Sequence, residues 1–227
     1  MAKAGTVVGL EVRATKIVAA VLGVETGELE RFQMSGDAGS AAGFCAALPW
    51  PVRVAYEAGP TGYGLARELV ERGVECVVAA PSKIPRAAGG RVKTDRRDAE
   101  HLVGLLLAGK LRPVRVPGPE EEALRDLVRA RAAVRMDLMR SRHRLSELLL
   151  RHGSRFDDGD AWTERHRQWL AQVALPWPAA RATLLDTIDA LCHRREQLQR
   201  EILAMFPASP WVVQVGRLRC LRGVDTR

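Results

Sequence analysis

Aromatic residues are scarce in this 227-residue chain, at 5%. That leaves few rings for the stacking platforms with which proteins hold single-stranded nucleic acid. Four cysteines (Cys45, Cys76, Cys192, Cys220) have no C-x-x-C spacing and no clustered histidines around them. Zinc binding and a disulfide framework are therefore disfavoured, and the thiols read as reduced groups in a cytosol. No apolar run approaches the roughly 18 residues of a membrane span, and the opening residues lack a signal-peptide pattern, so membrane insertion and secretion are disfavoured and a cytoplasmic location is expected. No glycine-rich phosphate loop follows the opening strand pair, which counts against an actin-like ATPase or sugar kinase. What is present is an ordinary globular balance, 47% hydrophobic and 27% charged, enough to bury a core in one or two domains. The net charge of +8 is spread over both halves, so the chain attracts polyanions, although charge alone fits an ordinary basic protein equally well.

The first 80 residues alternate between strand and helix patterns. Thr6 to Glu11, Lys16 to Leu22 and Leu29 to Met34 read as three strands in an antiparallel meander. Ala38 to Leu48 reads as a helix ended by Pro49 and Pro51, Val52 to Tyr56 as a buried strand, Thr61 to Arg72 as a helix closed by Gly73, and Glu75 to Ala79 as a further strand. A loop rich in proline, glycine and basic residues then leads to a helix expected from Asp95 to about Ala108. The order is β-β-β-α-β-α-β-α.

After Pro117-Gly118-Pro119 the chain changes character. Glu120 to about His152 reads as one long helix whose Leu124, Leu127, Val134, Leu138, Leu145 and Leu148 form a seam interrupted by Arg131 and Ser141. Ala179 to Met205, with Leu184, Ile188, Leu191, Leu198 and Ile202, is its expected partner, either within the chain or across a dimer. Asp157-Asp158-Gly159-Asp160 resembles part of a calcium loop but lacks the later glutamate, and reads as a polar turn. The expected domains are 1–118, 119–210, and a third that begins at 211.

The densest chemistry lies between Lys83 and His101. Asp95 and Asp98, three residues apart on a helix capped by Thr94, share one face and stand among Lys83, Arg86, Arg91, Lys93, Arg96 and Arg97. Acids in a first helical turn also complement the helix dipole, so the pair alone leaves both readings open. Glu11 ends the first strand and Glu57 the fourth; neighbouring strands would bring both to one sheet edge, near Asp95 and Asp98. Four clustered carboxylates repel one another unless cations neutralise them, which points to two Mg2+ ions, with Mn2+ as a substitute, and to phosphoryl transfer. The basic side chains would hold phosphates alongside.

Three blocks carry a family resemblance: Val8-Gly9-Leu10-Glu11-Val12, Tyr56-Glu57-Ala58-Gly59-Pro60-Thr61-Gly62-Tyr63-Gly64-Leu65, and Arg91-Val92-Lys93-Thr94-Asp95-Arg96-Arg97-Asp98-Ala99. Together they resemble the signature blocks of the DEDD transposases of bacterial insertion sequences, the bridge-RNA-guided recombinases related to the Piv DNA invertase. The resemblance implies an α/β, ribonuclease H-like (RuvC-like) mixed sheet with flanking helices, followed by an all-α coiled-coil region. It implies a catalytic and metal-binding tetrad of Glu11, Glu57, Asp95 and Asp98. It also implies DNA and a structured guide RNA as partners, homodimers or homotetramers, and a bacterial cytoplasmic setting.

Two departures qualify it. Glu11 stands where the family pattern has aspartate, and the family's later serine-bearing domain, whose entry Leu221-Arg222-Gly223-Val224-Asp225 resembles, does not follow in this sequence. The expectation is therefore an N-terminal portion of such a transposase, with a non-catalytic nucleic-acid-binding and dimerising remnant as the alternative.

Overall fold

A computed structural model describes residues 5–85 and 94–222. The chain divides into two compact units, Met1–Pro117 and Gly118–Arg227. In the first, five strands are formed by Thr6–Val12 (β1), Lys16–Gly23 (β2), Leu29–Ser35 (β3), Val52–Glu57 (β4) and Glu75–Ala79 (β5). They are ordered β3-β2-β1-β4-β5. The first three form an antiparallel meander, whereas β4 lies parallel to β1, and β5 parallel to β4. This mixed sheet with helices on both faces is a ribonuclease H-like α/β arrangement.

Because successive strand side chains point to opposite faces, the inner strands β1, β2 and β4 feed two cores. Val8 and Leu10 of β1, with Val54 and Tyr56 of β4, pack on the face covered by Ala38–Ala46 (α1) and Gly64–Glu71 (α2). Val7, Val18, Ala20 and Ala55 pack on the other, against Ala99, Val103 and Leu106 of Asp95–Leu107 (α3). Asp37 caps α1 by accepting from the Ser40 backbone N–H at 2.7 Å. Burial pushes the thiols of Cys45 and Cys76 up to about 12, which keeps them unreactive thiols.

The second unit is helical. Pro119–Arg151 (α4) opens with a proline at its first turn and three glutamates, both favourable at a helix N-terminus. Glu164–Gln172 (α5), Pro178–Met205 (α6) and Val212–Leu218 (α7) follow. Leu138, Leu145, Leu148 and Leu149 of α4 form a core with Leu170 of α5 and Ile188 of α6. At the other end of α4, Leu124 and Val128 border a groove with Ile202, Phe206 and Trp211. Low numbers on α4 thus meet high numbers on α6, so the two long helices pair antiparallel within the chain.

Two sequence expectations need correction here. Ser141 does not break the α4 seam: it is buried at 3% exposure, in line with Leu138, Leu145 and Leu148. The stretch after the Asp157–Asp160 turn carries a helix, α5, that the sequence pattern did not show. Its buried face is His166 and Leu170, and His166 stacks on Trp169 and meets Phe156 and Trp162 edge-on. Among the described residues, no helix is long and apolar enough to cross a membrane.

Candidate active site

The parallel pairing of β1 with β4 decides where the acids fall. Leu10 lies opposite Tyr56, so Glu11 and Glu57 are the next residues along neighbouring strands, at the same sheet edge. Both follow the alternation of Val7 and Ala55 and therefore face the α3 side. Thr94 caps α3, its hydroxyl accepting from the Arg97 backbone N–H at 3.4 Å, and Asp95 and Asp98 occupy the first turn. Glu11, Glu57, Asp95 and Asp98 thus lie on one face of the sheet, at one edge.

What seats α3 so closely is Gly9. A Cβ built there would stand 2.1 Å from the carbonyl oxygen of Ala99, the residue after Asp98. Only a residue without a side chain lets the helix backbone rest on the central strand.

Two basic residues of the β1–β2 hairpin enter this group. Arg13 donates to Asp95 Oδ1 from Nε at 2.9 Å and from Nη2 at 2.6 Å, and Nη2 also lies 3.3 Å from Glu11 Oε1. Lys16 Nζ sits 2.6 Å from the second oxygen, Asp95 Oδ2. The hydrogen bond from Lys16, and then those from Arg13, hold the Asp95 carboxyl below the usual carboxylate range, and the Arg13 guanidinium is raised in turn, chiefly by its bond to Asp95. Asp98 differs: its Oδ2 is buried and makes no hydrogen bond.

This donor set suits a hard divalent cation in kind, being oxygen-only and containing an orphaned buried carboxylate oxygen. Side-chain positions are another matter. Among the described residues, no three acidic, histidine or cysteine side chains converge closely enough to hold one metal ion. Asp95 has both oxygens engaged by Arg13 and Lys16 instead.

Of the expected phosphate contacts, Lys83 lies exposed in a short turn of 3-10 helix, Pro81–Lys83, which follows β5 at the same edge as Glu57. Arg96 and Arg97 are exposed on the first turn of α3. Arg86, Arg91 and Lys93 lie outside the described residues. His101 Nε2 stands 2.6 Å from the Pro85 carbonyl oxygen and ties α3 to the segment following that turn. Arg13 and Lys16 escaped the sequence reading. The available signal was two bases flanking a two-residue hairpin directly after the strand that carries Glu11.

The chain is thus an α/β protein of ribonuclease H-like topology with four carboxylates on one face of its sheet. Comparison with known proteins narrows that class. The family model of IS110-type DEDD proteins, described as transposase, matches residues 8–153, and the chain belongs to that family. It is 42% identical over 170 residues to a Sinorhizobium fredii protein named as a transposase, y4qE, covering 75% of this chain and 41% of that one. It is 36% identical over 184 residues to the transposase for insertion sequence element IS1533 of Leptospira borgpetersenii, covering 78% and 53%. The chain thus spans about half the length, or less, of these curated relatives. A solved structure of RuvC from Thermus thermophilus is similar over 51% of this chain and 85% of its own, at 20% identity and a TM-score of 0.27.

Proposed function

We propose that this chain carries the catalytic carboxylates of an insertion-sequence transposase, acting in metal-dependent cleavage and exchange of DNA strands directed by a structured RNA. One observation carries the reading: Glu11 and Glu57, on adjacent parallel strands, share a sheet face with Asp95 and Asp98 in the first turn of the helix packed there. Glu11, Glu57, Asp95 and Asp98 would hold divalent cations, with Mg2+ as the physiological choice and Mn2+ as a substitute. Bound there, the ions would supply Lewis acidity at both the attacking and the leaving oxygen of a phosphodiester.

The chain's own groups do the rest. The strand ends and the capped first turn of α3 fix the backbone from which the four carboxylates project, so that only side chains need to turn when a cation binds. Buried Asp98 Oδ2 offers a lone pair that nothing in the protein uses. Lys83, Arg96 and Arg97, with Arg86, Arg91 and Lys93, hold backbone phosphates. Such contacts position a duplex without reading its sequence, and that division of labour suits target choice by RNA pairing. The α4–α6 pair serves as an arm through which homodimers or homotetramers form.

The test is calorimetric titration of MnCl2 and MgCl2 into the protein and into an Asp95→Ala, Asp98→Ala double variant. The double variant should lose most of the binding; equal binding by both proteins would sink the assignment.

A further inference from the structure

Besides the acids, the site contains two cations of its own. Arg13 reaches both Glu11 and Asp95, and Lys16 takes the remaining oxygen of Asp95, so both carboxylate oxygens of Asp95 are engaged by cations of the chain itself. They leave from a hairpin whose backbone is fixed: the Arg13 N–H donates to the Lys16 carbonyl at 2.9 Å, and the Gly36 N–H to the Thr15 carbonyl at 3.1 Å. Both side chains are about half in solvent, at 50% exposure for Arg13 and 42% for Lys16. A long basic side chain in that position can leave its partner for water without crossing a dry barrier.

We propose that Arg13 and Lys16 are built-in counter-cations of the carboxylate site, holding Asp95 and Glu11 in the metal-free protein and yielding Asp95 when a divalent cation binds. The inference rests on the carboxylates being the metal site. The exchange balances charge: two monovalent side chains withdraw from the carboxylates as one doubly charged ion arrives. Held by both side chains, Asp95 is drawn toward the hairpin. The consequence is a metal affinity below what the carboxylates alone would give. Metal loading, in turn, releases two basic side chains at the edge where phosphate would lie.

The experiment measures MnCl2 affinity by calorimetry, and melting temperature in EDTA and in MnCl2, for the full chain and four variants. Arg13→Gln/Lys16→Gln should bind Mn2+ about tenfold more tightly at low salt, the scale expected for removing two partly exposed competing charges. The advantage should largely vanish in about 1 M salt, where screening reaches within roughly 3 Å. In EDTA that variant should melt lower than the parent, and should gain more on adding Mn2+. Arg13→Lys, which keeps the charge, should stay near the parent, and Lys16→Gln alone should move the same way by less, serving if the double variant does not fold. Affinity unchanged or weakened in the folded neutral variants overturns the proposal. The Asp95→Ala/Asp98→Ala variant separates the two failures: parent-like binding there would remove the metal site itself, whereas lost binding without tightening in the neutral variants removes only the counter-cation role.

Discussion

The contact between Gly9 and Ala99 makes a quantitative prediction, because one missing methyl group sets the distance from β1 to α3. In Gly9→Ala the new Cβ would meet Ala99 O at 2.1 Å, Val103 N at 3.0 Å and Ala99 C at 3.1 Å. The obstructing atoms are all backbone, so no rotamer change relieves the clash. Restoring ordinary contact near 3.4 Å requires the helix to retreat by roughly 1.3 Å. Overpacking of this kind typically costs about 1–3 kcal/mol. The retreat also carries Asp98, one residue from the contact, away from Glu11, and a displacement of about 1 Å in a positioned group can cost on the order of 100-fold in rate. Gly104→Ala is the matched control: it lies in the same helix, exposed, with nothing within 4 Å of its added Cβ, and should stabilise by up to about 1 kcal/mol through helix propensity. Urea denaturation followed by circular dichroism gives both stabilities, and Mn2+ calorimetry reports on the site. A Gly9→Ala protein with parental stability and parental Mn2+ affinity would refute the claim that this close approach positions the acids.

Two further outcomes are expected. Leu145→Ala, at a residue 1% exposed in the core shared by α4, α5 and α6, should cost about 2–5 kcal/mol, whereas Leu150→Ala, at 62% exposure, should stay within about 0.5 kcal/mol; equal effects in urea melts of the helical signal would contradict the assigned seam. Asp95 has a folded pKa below its unfolded value, so its contribution is fully present above the ordinary carboxylate pKa of about 3.9 and is lost as pH falls through the lower folded value; melting temperature from pH 7 to pH 2 should fall less below about pH 4 in Asp95→Asn than in the parent.

The inner strands are readable because they run apolar through two buried faces, and Leu29–Ser35 because its half-buried Phe32 and Met34 alternate with exposed polar residues. Lys16–Gly23 has both faces covered and is continuously apolar after its first residue, as a central strand should be. The capped helix at Asp95 was readable from Thr94 and the spacing of Ala99, Leu102, Val103 and Leu106. The short α5 was not readable: its core side is one leucine and a histidine made acceptable by three aromatic neighbours, a tertiary arrangement with no period in the sequence. Within the site, local spacing gave Asp95 and Asp98, and strand ends gave Glu11 and Glu57. Arg13 is hard to read for another reason: its partner Asp95 is 82 residues away, and its local mark is only its place in the hairpin after the strand that carries Glu11.

The central strand therefore has two functions that cannot be separated. Val7, Gly9 and Glu11 occupy successive positions on one face of β1: the first builds the core beneath α3, the second permits its approach, and the third meets Arg13 at the strand's end. A perturbation at either of the first two must reach the third through the helix, because protein interiors are packed too densely to absorb an ångström locally. Surface charges such as Glu68 of α2 and Arg72 at its C-terminal cap, paired on the opposite face of the sheet, have no such route to the carboxylates. Sensitivity of the site should thus follow contact with the Gly9–Ala99 seam more closely than distance along the chain.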